Sequence, residues 1–184
     1  MPTIFSHAIF ASAVGKACVS EPMPLRFWVL TATCAMLPDV DAIGFALGVD
    51  YDSMLGHRGL THSIAFAVLV GLAVGMFAFG KRPSGPGRLQ LIVYFTLVTL
   101  SHPLLDAMTN GGLGVALFAP FSAERYFFPL RPIEVSPIGM RFFSERGVEV
   151  LASEVVWVWL PGLLIYLAVN MYRKLRKERE RGAQ

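Results

Sequence analysis

Five stretches of mostly apolar residues, roughly 3–20, 26–48, 61–80, 88–110 and 150–172, dictate what this chain can fold into. About 20 apolar residues in an α-helix cross a hydrocarbon core of about 30 Å. In lipid, every backbone N–H and C=O must find its partner inside the protein, which leaves helices or closed barrels. The chain has 184 residues, 54% of them hydrophobic and 16% charged, with a mean hydropathy of +0.55. Soluble domains are about 25% charged. The expected fold is therefore all-α, a polytopic membrane helix bundle of about five transmembrane helices. Residues 1–172 are expected to form a single integral membrane domain and 173–184 a basic cytoplasmic tail. The first stretch is the weakest of the five, because it contains His7 and Lys16. No basic n-region precedes it, so no cleavable signal peptide is expected. The net charge of +3 comes largely from the tail, which argues against nucleic acid as a partner. Cys18 and Cys34 lie in or beside apolar segments and read as small core residues.

Basic residues orient the bundle. The connection KRPSGPGR, residues 81–88, holds three basic residues and no acid, and the tail YRKLRKERERGAQ is basic beside the last stretch. Placing both in the cytoplasm gives a multi-pass inner-membrane protein with its N-terminus out and its C-terminus in. Lys16 and Arg26 flank the first connection and agree. Residues 109–149 differ from the rest: rich in Gly, Pro and Phe, they interleave Arg125, Arg131, Arg141 and Arg146 with four glutamates. They read as a long outer flap between the fourth and fifth helices, with GVALFAPF as a candidate re-entrant piece.

This orientation brings the ionisable residues of the apolar stretches to one level. The chain has four histidines, His7, His57, His62 and His102, and three of its five aspartates, Asp39, Asp41 and Asp106, sit inside apolar stretches. At 1.5 Å per residue, Asp39 and His102 each lie about 20 Å above the cytoplasmic start of their helices. His7 has a similar height, and His57 and His62 belong to the outer end of the third helix. His102 and Asp106 are four apart and share a helix face. Pro38 disfavours helix at Leu37, so an unwound stretch could turn Asp39 and Asp41 inward. Gly56 and Gly59 permit a tight path past His57, and Thr61 can cap the third helix. Pro103 would kink the fourth, with Ser101 re-satisfying the freed carbonyl. Three carboxylates in a bilayer cost about 2.5–3.5 kcal/mol each, and divalent metal ions would offset that cost. Mixed His/Asp ligation suits zinc or manganese, one or two ions.

The strings SHAIFASA, LPDVD, HRGLTHS, and SHPLLDAMTNGG followed by APFS resemble the YdjM-like family of membrane-bound, metal-dependent hydrolases. The family pattern of an early His, then PDxD, HRxxTHS and HxxxD is matched in order by His7, Asp39 and Asp41, His57 to His62, and His102 with Asp106. The resemblance implies hydrolysis and names no substrate. A more distant likeness is to zinc-dependent phospholipases C and related helical nucleases, whose metal clusters bind phosphate and activate water.

The reaction expected is metal-assisted hydrolysis of a phosphoester carried by a lipid or amphiphile. The expected metal ligands are His7, Asp39, Asp41, His57, His62, His102 and Asp106. Asp41 and His62 also stand as catalytic candidates, with one Asp as general base. Arg58 is expected to clamp an anionic group, with Arg125 and Arg131 as lesser candidates. The expected partners are membrane lipids and an amphiphilic anionic substrate. Two readings from other classes use the same residues: a metal or proton transporter, and a structural protein with a metal staple. A transporter would need a polar path to the cytoplasm, and the third to fifth stretches are nearly free of ionisable residues below the site.

Overall fold

A computed structural model describes residues 1–80, 85–137 and 142–182. Lys81 and Arg82 of the basic connection, Arg141 of the flap and the last two tail residues lie outside the described residues. The helices are α1 (Ile4–Cys18), α2 (Leu25–Met36), α3 (Ile43–Ala46), α4 (Ile64–Phe77), α5 (Arg88–Ala107), α6 (Glu145–Glu154) and α7 (Leu160–Gly182). No strand occurs among the described residues, only two isolated bridges in the flap. Three helical stretches are long and apolar enough to cross a membrane: Leu25–Ala46, Arg88–Ala107 and Glu145–Arg181. Helices α1 and α4 are apolar but only 15 and 14 residues long. This is the expected helical membrane bundle, with outward faces of exposed leucine and valine such as Val29, Leu69, Leu97 and Leu164.

α5 is central, packing against α4 and α2, while α1 packs between α2 and α7. Gly71 and Gly75 let α4 approach closely: a Cβ at Gly71 would stand 2.7 Å from the Ile92 carbonyl oxygen, and one at Gly75 would stand 2.7 Å from the Ile92 nitrogen. Such small-residue seams are how membrane helices gain van der Waals contact without a hydrophobic driving force. One half of the bundle holds an apolar core of Phe27, Cys34, Leu91 and Phe95. Phe27 stacks on Tyr94 at 4.7 Å and Phe79 on Phe95 at 5.8 Å. The other half carries the polar residues.

Several local expectations change. Leu37 keeps right-handed helical angles (φ −57°, ψ −37°). The chain leaves the α-helix through a 3₁₀ helix over Leu37–Ala42 instead, with Pro38 in its first turn. Ser63, not Thr61, caps α4, accepting a bond from the Phe66 N–H at 3.1 Å. Pro103 sits inside a continuous α5. The Ser101 hydroxyl donates to the Val98 carbonyl at 2.7 Å, so it does not serve the Thr99 carbonyl that proline deprives of its donor. Cys34 is buried but Cys18 is exposed, and both are free thiols.

The last stretch begins earlier than composition indicated, because α6, a π-helical turn over Val155–Trp159 and α7 run on from one another. α7 passes position 172 without a break. Its Arg173 donates to the Ala17 and Val19 carbonyls at 2.6 and 3.1 Å, closing the C-terminus of α1. The flap is laced to the end of α5 by Asn110 N–H to Ile133 O (2.9 Å) and Phe128 N–H to Ala107 O (2.9 Å). GVALFAPF is a run of turns rather than a re-entrant helix. It lies over the 57–64 segment, where Ala116 N–H meets Arg58 O and Ile64 N–H meets Leu117 O, each at 3.0 Å.

Candidate metal centre

Five segments bring their polar side chains to one buried point: α1 (His7), the 3₁₀ turn after α2 (Asp39, Asp41), the 57–62 loop (His57, Arg58, His62), α5 (His102, Asp106) and the start of the flap (Thr109). His7, Arg58, His62, His102, Asp106 and Thr109 are fully buried, and Asp39 and His57 nearly so. The 3₁₀ register explains part of this. In an i→i−3 helix the donor for the Ala35 carbonyl would be the nitrogen of Pro38, which has no hydrogen. The Nδ1–H of His102 takes that place at 2.7 Å. A carbonyl only accepts, so the proton of His102 is on Nδ1 and its Nε2 lone pair faces the cluster.

Asp41 does the same for the opposite side. Its Oδ1 lies 2.6 Å from His57 Nδ1. Its Oδ2 accepts from the Thr61 hydroxyl at 2.6 Å and the Arg58 N–H at 3.1 Å, and lies 3.1 Å from His62 Nδ1. Both carboxylate oxygens of Asp41 are thus engaged in shaping the loop and turning His62 so that its Nε2 points inward.

Four donor atoms then converge. His62 Nε2 is 3.6 Å from Asp39 Oδ1 and 3.4 Å from Asp106 Oδ2, and His102 Nε2 is 3.3 and 3.9 Å from the same two oxygens. Zinc bonds of about 2.0–2.2 Å in tetrahedral arrangement separate neighbouring ligands by about 3.3–3.6 Å. The spacing fits one divalent ion, so Asp39, His62, His102 and Asp106 could hold a metal; a second possible donor group, Asp39, Asp41, His57 and His62, overlaps it. In that second group Asp41 and His57 are already bonded to each other. Nine buried polar atoms of His7, Asp39, Arg58, His62, His102 and Asp106 have no hydrogen-bond partner. Several of them face one another as charge pairs, Arg58 Nε and Asp106 Oδ2 at 3.2 Å among them. An unsatisfied buried polar atom costs about 1–3 kcal/mol, and a cation held by Asp39, His62, His102 and Asp106 would engage four of the nine.

His7 stands apart from the four donors. It stacks on His102 at 3.6 Å between ring centroids, with Nε2 3.4 Å from Asp106 Oδ1, the carboxylate oxygen on the far side from His62.

Arg58 departs furthest from expectation. Expected to clamp an anionic group, its guanidinium is buried and already engaged, with Nε 3.2 Å from Asp106 Oδ2. Nη1 donates to the Gly111 carbonyl and Nη2 to Thr109 Oγ1, each at 3.0 Å. The residue adopts φ +63°, an outlier held in place by its surroundings. Gly112, at φ +87°, leaves room for it, since a Cβ there would meet Arg58 Nη1 at 2.8 Å. A buried cation therefore accompanies the three carboxylates. Arg125 also differs: it donates to the carbonyls of His57, Tyr51 and Ser53 at 3.0, 2.8 and 3.1 Å, fastening the 51–57 loop. Arg131 lies over the Phe127 ring at 4.8 Å, away from the cluster.

Sequence reasoning missed Glu154. It is fully buried on the turn before the π-helix. It accepts from the Thr3 N–H, the Thr3 hydroxyl (2.7 Å) and the Ser6 hydroxyl (2.6 Å), and Trp159 Nε1 donates to Ser6 at 2.6 Å. Hydrogen bonds to a charged acceptor are worth about 1.5–3 kcal/mol each, so Glu154 pins the start of α1 and, one residue past Ser6, His7. The available signal was a lone carboxylate just ahead of VVWVWLPGLL.

A helical membrane bundle with a buried His/Asp centre able to hold metal defines the class. The chain belongs to the YdjM inner membrane protein family, which it matches over residues 1–177. It is 40% identical over 166 residues to Inner membrane protein YbcI of Escherichia coli (strain K12), an alignment covering 90% of this chain and 95% of that protein. No solved structure matches it.

Proposed function

We propose that the chain is a membrane-embedded, metal-dependent hydrolase acting on a phosphoester of a lipid or amphiphile. The convergence of unpartnered donor atoms from Asp39, His62, His102 and Asp106 carries this reading. A divalent ion there, zinc or manganese by the donor set, would supply Lewis acidity for activating water and polarising a phosphoryl oxygen. The chain's own residues do the orienting. Asp41 holds His62, the Ala35 carbonyl holds His102, and Arg58 holds Asp106. Such outer partners fix ring orientation and ligand basicity. Three carboxylates and one guanidinium sum to −2, so one divalent ion makes the centre neutral. His7 Nε2 and Asp106 Oδ1 offer donors for a second, and two ions would leave it at +2, which suits an anionic phosphoester. Water adds to phosphorus, the ester P–O bond breaks, and the alcohol leaves with a proton.

Against the transporter reading, the bundle beyond the cluster is filled largely by apolar side chains, with Phe27, Cys34, Leu91 and Phe95 all buried.

The test uses detergent-purified protein, elemental analysis and a panel of phospholipids, polyprenyl phosphates and chromogenic phosphate and carboxylic esters. At least one equivalent of divalent metal and phosphoester turnover are expected. Background metal only, with none bound on titration, would reduce the cluster to a hydrogen-bond network and remove the hydrolase reading. Turnover of carboxylic esters alone would keep the metal and discard the phosphate.

We also propose that the centre lies toward the outer face, with the C-terminus in the cytoplasm. In the flap, Arg125 donates to backbone carbonyls and Arg146 pairs with Glu134 and Glu149. Reporters fused after Gln184 and inserted near Asp52 are expected on opposite sides, the first inside. A cytoplasmic signal near Asp52 overturns the orientation.

A further inference from the structure

The cluster is buried, yet one groove reaches it. A cavity of about 270 Å³ between the start of α1 and the 3₁₀ turn is lined by Ile4, Phe5, Ala42, Pro137 and Phe142 and touches Asp39. Asp39 is only 7% exposed, and neither of its carboxylate oxygens has a hydrogen-bond partner. The groove is thus apolar along most of its length and ends at Asp39, whose carboxylate oxygens lie buried behind it, with Oδ1 3.3 Å from His102 Nε2. Its surroundings are apolar too: Phe5 is 66% exposed, Ile43 60% and Val40 49%. In a membrane protein such a face meets hydrocarbon rather than water.

We infer that this groove is a lateral portal that seats the hydrocarbon chain of the substrate, admitted sideways from the bilayer with its phosphoester leading toward Asp39. The inference rests on the phosphoester hydrolase reading for the identity of the headgroup. The chain docking stands on the groove alone. Apolar lining gives the tail its affinity, because ligand sites are mostly apolar with a few placed polar groups. Met1, Thr3 and Ser136 also line it, and the Thr3 hydroxyl is already donated to Glu154. A soluble phosphate ester has no such tail and gains nothing from the groove.

Ala42→Trp fills the groove from the 3₁₀ turn, and Ser136→Trp fills it from the flap side, so the test survives misfolding of either one. Full-length protein in nanodiscs is exposed to phosphatidic acid bearing a photoreactive group in its acyl chain, and labelled peptides are mapped by mass spectrometry. Labelling is expected at residues 1–5 and 136–137, reduced at least tenfold in a folded plug variant, with metal content unchanged. Labelling spread over outward faces such as Leu69 and Leu97, and indifferent to both plugs, overturns the portal. In parallel, the plugs are expected to lower turnover of long-chain phosphatidic acid at least tenfold in folded protein of unchanged metal content. Unchanged turnover of that lipid in both plug variants also overturns the portal. Wild-type protein that labels at the groove but hydrolyses no phosphoester keeps the portal and discards the hydrolase.

Discussion

His102→Ala and Asp106→Ala proteins are expected to lose metal by at least 100-fold in affinity while remaining helical. Each variant removes one of four converging donors, and Asp106 also presents its second oxygen to His7. Asp41→Asn provides the graded comparison. Its side chain turns His62 and braces His57 and Thr61, and loss of such an outer partner typically costs 10–100-fold. The order expected from competition against a chelator of known affinity is wild type, then Asp41→Asn, then the two alanine variants. If Asp41→Asn binds as weakly as His102→Ala, Asp41 is a direct ligand, and the centre is built on the Asp39, Asp41, His57 and His62 group instead.

Arg58→Ala is expected to be the most destabilising single change in the cluster, by about 3–5 kcal/mol in metal-free protein. Removing one partner of a buried pair strands the other charge, and here Asp106 would lose its guanidinium and keep His7, His62 and His102 beside it. The same change frees the Thr109 hydroxyl and the Gly111 carbonyl, loosening the flap where it leaves α5. A bound divalent ion compensates Asp106, so the loss should shrink when metal is saturating. Chemical or thermal unfolding in detergent, with and without chelator, measures both effects. Arg58→Lys is expected to recover only part of the stability, because an ammonium cannot serve Asp106, Thr109 and Gly111 at once. A wild-type unfolding profile for Arg58→Ala in chelator would show the guanidinium to be idle, reopening its role as a substrate clamp.

The residues that were legible in the sequence share one physical property: ionisable groups inside apolar stretches are too costly to be casual. That argument found His7, Asp39, Asp41, His62, His102 and Asp106, His57 joined them from the loop at the mouth of the third stretch, and the structure gathers all seven. Pro38 was a sound warning that helix α2 would not continue unchanged. It could not say that the outcome was a 3₁₀ turn with Leu37 still helical, because that choice is made by packing against α5. Arg58 was misjudged for a similar reason. Its left-handed backbone and inward guanidinium depend on Gly112 and Thr109, more than fifty positions away. Thr61 and Ser63 are both competent caps two residues apart, and only the position of Asp41 decides which hydroxyl is diverted. Glu154 escaped notice because its partners, Thr3 and Ser6, belong to the opposite end of the chain.

The shortness of α1 and α4 has a consequence for the bilayer itself. Helices of 15 and 14 residues extend only about 21–23 Å at 1.5 Å per residue, less than the roughly 30 Å of hydrocarbon around them. Lipid beside a short helix thins to match it, at a fraction of a kcal/mol per ångström. The first turns of both helices border the His/Asp centre, so a bilayer that thins to match them is expected to dip at that end of the bundle. Lipid phosphates there are then expected to stand nearer to Asp39, the membrane's own deformation closing part of the distance between headgroup and buried carboxylate.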